Sequence, residues 1–181
     1  VGPESAGAGR GPACYRRGGP LTITDANVML GRVRPDHFPA VFGPGADQQL
    51  DAAVVERMFT DLAQHVSDTT GQVRSAHDVA LGFIDVAVAI MADAIKRISV
   101  RKGHDLLDHA LTSFGGAGGQ HACAVAEALG VTTVIVPPRA GVLSAVGMGL
   151  ADVKGMRERT VGQPLEELTP DHLAAIAEEL T

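Results

Sequence analysis

Two stretches of this chain combine residue types that can do chemistry. In the first, Gly115-Gly116-Ala117-Gly118-Gly119-Gln120-His121 stands where an apolar run gives way to helical composition. Free backbone N–H groups and the positive end of a helix converge at such a junction, and missing side chains let a ligand touch the backbone. The chemistry is nucleotide binding; the competing reading is a tight turn that needs positive φ and serves only packing. The dinucleotide pattern G-x-G-x-x-G fails because Gly116-x-Gly118 is followed at the third site by His121, and the next β-branched run ends in Pro137 with no acid for a ribose. The phosphate loop ending Gly-Lys-Ser/Thr fails because Gln120-His121 follows Gly119. Spacing alone leaves the nucleotide class open. His121 reads either as a local polar cap or as a donor facing a ligand.

In the second stretch, Cys14-Tyr15-Arg16-Arg17-Gly18-Gly19-Pro20 joins a thiol to two cations and a flexible turn. Neighbouring guanidinium groups lower a thiol pKa, so Cys14 is a candidate nucleophile, although no base can be assigned to it. Asp25 and Asn27 follow in Thr24-Asp25-Ala26-Asn27. They suit a magnesium-water shell or hydrogen bonds to a substrate, or else an Asx turn that caps residues 26–30. Arg16 is a further candidate for substrate binding. His121 and Cys123 do not make a metal site, since positions i and i+2 of a helix point about 200° apart. Cys123 reads instead as a small buried apolar residue. His104, Asp105, Asp108 and His109 read as a solvated face.

The elements that must position these groups follow from the apolar periods. Residues 1–12 read as a loop, and the opening Val1 reads as the start of a piece of something longer. Leu21 to Ile23 is expected to be a strand or turn that leads into a single helical turn closing at Gly31. Residues 34–44 form a proline-rich loop. Residues 51–67 form an amphipathic helix, and Ser75-x-x-Asp78 is a capping box that opens a second, longer one ending at Gly103. The face of this longer helix that meets the core is expected to carry Val79, Phe83, Val86, Ile90, Ala94 and Ile98. Strand 110–114, the glycine turn, a helix from Gln120 to Leu129 and strand 131–136 make a βαβ unit with parallel pairing. A small-residue helix or turn follows over 142–151, then strand and loop over 152–164, and a helix over 171–180 capped by Thr169. The organisation expected is a loop-rich segment over 1–45, an α/β portion over 46–155 and a C-terminal strand, loop and helix over 156–181.

Composition narrows the function. The 181 residues carry 15 basic and 21 acidic side chains, a net charge of −6, with 45% apolar and 3% aromatic residues. A domain of this size hides well over half of its unfolded surface, which argues against disorder. The acidic balance and the scarcity of rings speak against nucleic acid as a partner. There is no apolar run of about 18 residues to span a membrane. Two cysteines, Cys14 and Cys123, are too few for a disulfide framework, so a cytoplasmic setting is expected.

Several collinear motifs over residues 1–155 resemble one family. They are Gly11-Pro12-Ala13-Cys14-Tyr15, Gly18-Gly19-Pro20-Leu21-Thr22-Ile23-Thr24-Asp25-Ala26-Asn27, Phe42-Gly43-Pro44-Gly45, Arg101-Lys102-Gly103-His104-Asp105, Phe114 through Ala124, and Gly141-Val142-Leu143-Ser144-Ala145-Val146-Gly147. The resemblance is to the hydantoinase/oxoprolinase family, and Gly43-Pro44-Gly45 with Gln120-His121 look most like its branch acting on 5-oxoproline. It implies an α/β fold, part of an actin/hexokinase/Hsp70-like ATPase that closes two lobes over Mg2+ and ATP. On that resemblance Gly115, Gly116, Ala117, Gly118, Gly119, Gln120 and His121 form the adenosine loop, and Gly141 and Ser144 belong to the second connecting helix. The family's phosphate-binding loops lie upstream of Val1, so this piece would supply the nucleoside half of a site and be inactive alone. The implied reaction is hydrolysis of 5-oxo-L-proline to L-glutamate coupled to ATP cleavage, with a place in glutathione metabolism. Hydantoins or a carboxylated ketone are the alternative substrates, and a non-catalytic assembly module is the alternative role. The implied partners are ATP, the cyclic amide, the rest of the parent chain or a partner subunit, and further copies of the protein.

Overall fold

The computed structural model describes residues 4–7 and 9–180, without the side chain of Leu165. Positions 1–3 and 8 of the expected opening loop, and the final residue 181, lie outside the described residues. The chain divides into two compact units, residues 1–143 and 144–181.

Among its described residues, the first unit is built on four α-helices, three of them preceding its sheet. α1 (Ile23–Met29) starts where the chain was expected to be extended. Local capping overrides the β-prone composition of Leu21–Ile23: the Thr22 hydroxyl accepts from the Asp25 N–H, and the Asp25 carboxylate accepts from the Thr22 N–H at 2.8 Å. α2 (Ala52–Thr70) is capped by the Asp51 side chain, which accepts from Val54 N–H at 3.0 Å, and it ends at Gly71 with φ 71°. α3 (Ala76–Arg101) opens on the expected Ser75–Asp78 capping box and closes before Gly103.

The core face of α3 differs from the one the large residues suggest. Ala80, Ile84, Val88 and Ala92 are buried, whereas Ile90 is 55% and Ile98 61% exposed. α3 packs against α1, α2 and a fourth helix at once. Its contact stripe is therefore where small side chains admit neighbouring backbones, and the bulkier residues flank it. Phe83 stays close to the core through an edge-to-face contact with Phe59, ring centres 5.4 Å apart.

The βαβ unit forms as expected, with short strands. β1 (Leu111–Thr112) pairs in parallel with β2 (Val134–Ile135), Leu111 opposite Val134 and Thr112 opposite Ile135. Between them lies α4 (Ala122–Leu129), closed by Gly130 at φ 73°. The expected strand 131–136 starts late because the Val131 N–H is committed to Ala126 O at the end of α4, and it stops before Pro137, which has no N–H to donate. α4 buries Ala122, Val125, Ala126 and Leu129 on one side.

In the second unit, α5 (Leu143–Leu150, its first residue belonging to the first unit) precedes a segment with no strand among its described residues, which corrects the expectation for 152–164. The segment lacks the period-2 alternation that a paired strand shows. α6 (Pro170–Glu179) is capped by Thr169, whose hydroxyl accepts from His172 N–H, as the sequence indicates. Arg157 donates to Leu180 O and Arg159 pairs with Glu179, tying the irregular segment to this helix.

Candidate nucleotide site

The glycine turn is open. Gly115 sits at φ 89°, a conformation that side chains disfavour, and its N–H donates to Ala140 O at 2.8 Å. This bond brings the 3₁₀ turn Ala140–Val142, with Gly141 in it, against the glycine turn. A Cβ added at Gly116 or Gly119 would meet nothing within 4 Å, whereas one at Gly118 would come 2.9 Å from Ser113 Oγ. The N–H groups of Gly116, Ala117 and Gly119 have no protein partner among the described residues. A single 3₁₀ turn, Gly118–Gln120, then delivers the chain into α4.

Beside the turn lies a cleft of about 490 Å³, walled by Ser113, Phe114, Ala117, Gly118 and His121 on one side and by Met91 and Ile95 of α3 on the other. Its lining is mainly apolar with a few polar groups at the turn. That pattern suits a flat heterocycle carrying hydroxyls.

Helix α1 places the other candidates. Asp25 is fully buried, and its carboxylate accepts from Ala13 N–H at 3.1 Å, Cys14 N–H at 2.8 Å, and the Thr22 N–H and hydroxyl at 2.8 Å each. Both oxygens are filled by donors from the chain itself, so Asp25 braces the loop before α1 and has no capacity left for a magnesium-water shell. The expected Asx turn is instead a capping box joined to two long-range backbone contacts. Cys14 is buried beneath it, and burial pushes its thiol pKa strongly upward, with the hydrogen bond and charge of Asp25 adding to the rise. This reverses the activation expected from Arg16 and Arg17: burial outweighs everything else at the sulfur, Asp25 adds to it, and neither guanidinium offsets them. Arg16 is itself engaged: Nε donates to Gln49 O at 2.7 Å and Nη1 to Asp51 Oδ2 at 2.8 Å.

Asn27 is also buried, and it reaches the glycine turn. Its Nδ2 donates to Gln120 Oε1 at 2.9 Å and faces His121 Nε2 at 3.3 Å. Sequence reasoning did not link Asn27 to Gln120 and His121, and nothing in their spacing could have done so. His121 makes no side-chain cap for α4. Burial, followed by the nearby charge of Arg32, holds its imidazole below the usual histidine range, so it is neutral near pH 7. Cys123 is exposed, contrary to expectation, because the buried side of α4 starts at Ala122. His104, Asp105, Asp108 and His109 face solvent, as their composition indicates. Ser144 falls on α5 in the second unit. Among the described residues no group of three or more His, Cys, Asp or Glu side chains could hold a metal ion, and no helix is long and apolar enough to cross a membrane.

A parallel βαβ unit with a glycine turn between strand and helix, backed by a long helix, is the arrangement found in part of an actin/hexokinase-like ATPase fold. Solved structures carry the same fold. ATP-dependent caprolactamase from Pseudomonas jessenii matches with a TM-score of 0.68 and 34% identity, over 84% of this chain and 21% of that one. Acetone carboxylase in a nucleotide-free state matches with a TM-score of 0.66 and 31% identity, over 83% of this chain and 20% of that one. The chain belongs to the hydantoinase/oxoprolinase family, whose model matches residues 1–157. Among curated relatives, 5-oxoprolinase 1 of Arabidopsis thaliana is 48% identical over 159 residues, 84% of this chain. The chain spans 13% of the length of that relative.

Proposed function

We propose that this chain is part of an ATP-dependent hydrolase that opens a cyclic amide, converting 5-oxo-L-proline to L-glutamate, and that it supplies the nucleoside-binding turn. The observation carrying this reading is the vacant space over Gly116 and Gly119 beside the cleft, with three backbone N–H groups unspent. Adenine would lie against Phe114 and the apolar wall of α3, with its ribose over the glycines. Gly115 to Gly119 with Gln120 and His121 are the binding residues, and Gly141 supports them through Ala140.

The chemistry explains the need for a nucleotide. A five-membered lactam is resonance-stabilised, and its oxygen is a poor leaving group. Transfer of the terminal phosphoryl group of ATP to that oxygen, with ADP leaving, makes it one and activates the carbon; one water adds there, the ring C–N bond breaks with the nitrogen leaving as the amine, and a second water splits the resulting acyl phosphate into glutamate and phosphate. The residues of this chain bind and orient the nucleoside for that transfer. Asp25 and Cys14 are committed to each other and to the backbone, and Arg16 is committed to Gln49 O and Asp51, so the groups that touch the lactam belong to other parts of the longer protein or to a partner subunit. A cytoplasmic, oligomeric enzyme fits this reading.

The test uses the full-length protein that contains this chain. Gly116→Val fills open space and leaves the fold intact, so it should weaken ATP binding at least roughly tenfold, the equivalent of about 1.4 kcal/mol. ATP affinity unchanged in that variant would overturn the nucleoside assignment. Turnover of 5-oxoproline against N-methylhydantoin, measured on the same protein, decides the substrate.

A further inference from the structure

Resting on the glycine turn as a nucleoside site, we propose that Asn27 is its positioning residue: the Asn27 amide clamps Gln120 and fixes His121 as the Nδ1–H tautomer, so that helix α1 sets the end of the turn from 93 residues away.

The argument is a count of hydrogens. A carboxamide nitrogen carries two. One is directed to Gln120 Oε1 at 2.9 Å, and the second faces His121 Nε2 at 3.3 Å. A neutral imidazole has one N–H, so a ring that accepts at Nε2 carries its proton at Nδ1. Burial keeps the ring neutral, as this arrangement requires. Gln120 and His121 are the last residues of the 3₁₀ turn and the cap of α4, so holding both side chains holds the exit of the glycine turn.

Packing alone does not account for this cluster. Asn27 Oδ1 and His121 Nδ1 are the buried side-chain polar atoms left without a partner among the described residues. Side chains that serve only to fill the interior do not leave a buried acceptor and a buried ring nitrogen without partners. Asn27 is also anchored from behind: Asp25, two positions earlier on α1, is fixed to Ala13, Cys14 and Thr22. The amide therefore presents a rigid fork to a turn that has few packing contacts of its own.

The experiment takes the full-length protein labelled with ¹⁵N-histidine and reads the two ring nitrogens of His121 together with the affinity for a fluorescent ADP analogue. Asn27→Asp offers only acceptors, so it should draw the ring proton to Nε2 and weaken ADP binding roughly tenfold. Gln120→Ala, at an exposed position that the fold tolerates, should keep Nδ1–H and weaken binding about threefold. A ring with no proton at Nε2 in Asn27→Asp overturns the proposal, as does a ring protonated there with ADP affinity within about twofold of the unsubstituted protein. Should the unsubstituted protein bind no ADP, the nucleoside reading fails separately. The clamp is then judged on the ring nitrogens and the amide resonances of 115–119, and their indifference to Asn27→Asp overturns it too.

Discussion

The Cys14 N–H donates to Asp25 Oδ1 at 2.8 Å, and this bond joins the loop before helix α1 to the helix itself. Asp25 belongs to two structures at once, the capping box of α1 and a backbone clasp on Ala13 and Cys14. The clasp continues outward: Cys14 O accepts from Asp51 N–H at 2.9 Å, and the Asp51 side chain caps α2 and pairs with Arg16. One buried carboxylate thereby sets the relation between the Cys14 loop, α1 and the start of α2.

Asp25→Asn should therefore destabilise the protein by about 3 kcal/mol. The amide puts a donor where Ala13, Cys14 and Thr22 all present donors, so at least one buried N–H loses its partner. Thermal unfolding checks this, with Asp93→Asn, an exposed surface partner of Arg97, as the control expected to change little.

Cys14 and Cys123 should separate cleanly in reactivity. The native thiol of Cys14 has its pKa raised, first by burial and then by Asp25, so it stays protonated and shielded while exposed Cys123 alkylates. The same shift makes a linkage prediction. Above about pH 8.5 the unfolded thiol loses its proton while the folded one keeps it, so stability falls as pH rises, by up to about 1.4 kcal/mol per unit from this group. Denaturant midpoints from pH 8 to 10 should show that decline, and Cys14→Ala should flatten it. An equally steep decline in Cys14→Ala would remove the thiol as its cause.

How much of this was legible in the sequence depends on how local the cause is. The Ser75–Asp78 capping box, the Thr169 cap and the parallel βαβ unit are written in neighbouring residues, and they appear where the spacing places them. The start of α1 was also local, yet Leu21–Ile23 reads as extended unless Thr22 and Asp25 are recognised as a capping pair. The face of α3 was misread for a different reason. Periodicity marks the bulky residues, while the contact with three helices is set by Ala80 and Ala92, whose small size registers weakly on any hydrophobic scale. In the site, the glycine turn announces itself by composition. The Asn27–Gln120–His121 cluster and the fate of Arg16 depend on residues tens of positions apart, which no spacing rule connects.

His121 should titrate below the ordinary histidine range, chiefly through burial and secondarily through Arg32. Near and below pH 6.5 the unfolded ring takes up a proton that the folded ring resists, so stability falls as pH drops through that region. Ring-proton NMR follows the group directly. Arg32→Met should move its midpoint part of the way back up, and a midpoint at or above the free-histidine value would show that the ring is not buried as described.

The glycines of the turn should rank by cause. Gly115→Ala forces a side chain into φ 89° and should cost about 1–2 kcal/mol by backbone strain. Gly118→Ala keeps an ordinary φ but sets its methyl 2.9 Å from Ser113 Oγ, so the loss depends on the hydroxyl; pairing it with Ser113→Ala should recover most of it. Gly116→Ala meets open space and should leave stability nearly unchanged. Chemical denaturation of the three single variants and the Gly118–Ser113 double variant tests the order. A Gly116→Ala variant as unstable as Gly115→Ala would mean that the space over the turn is occupied in the native protein, which would leave no room over the glycines for a ribose.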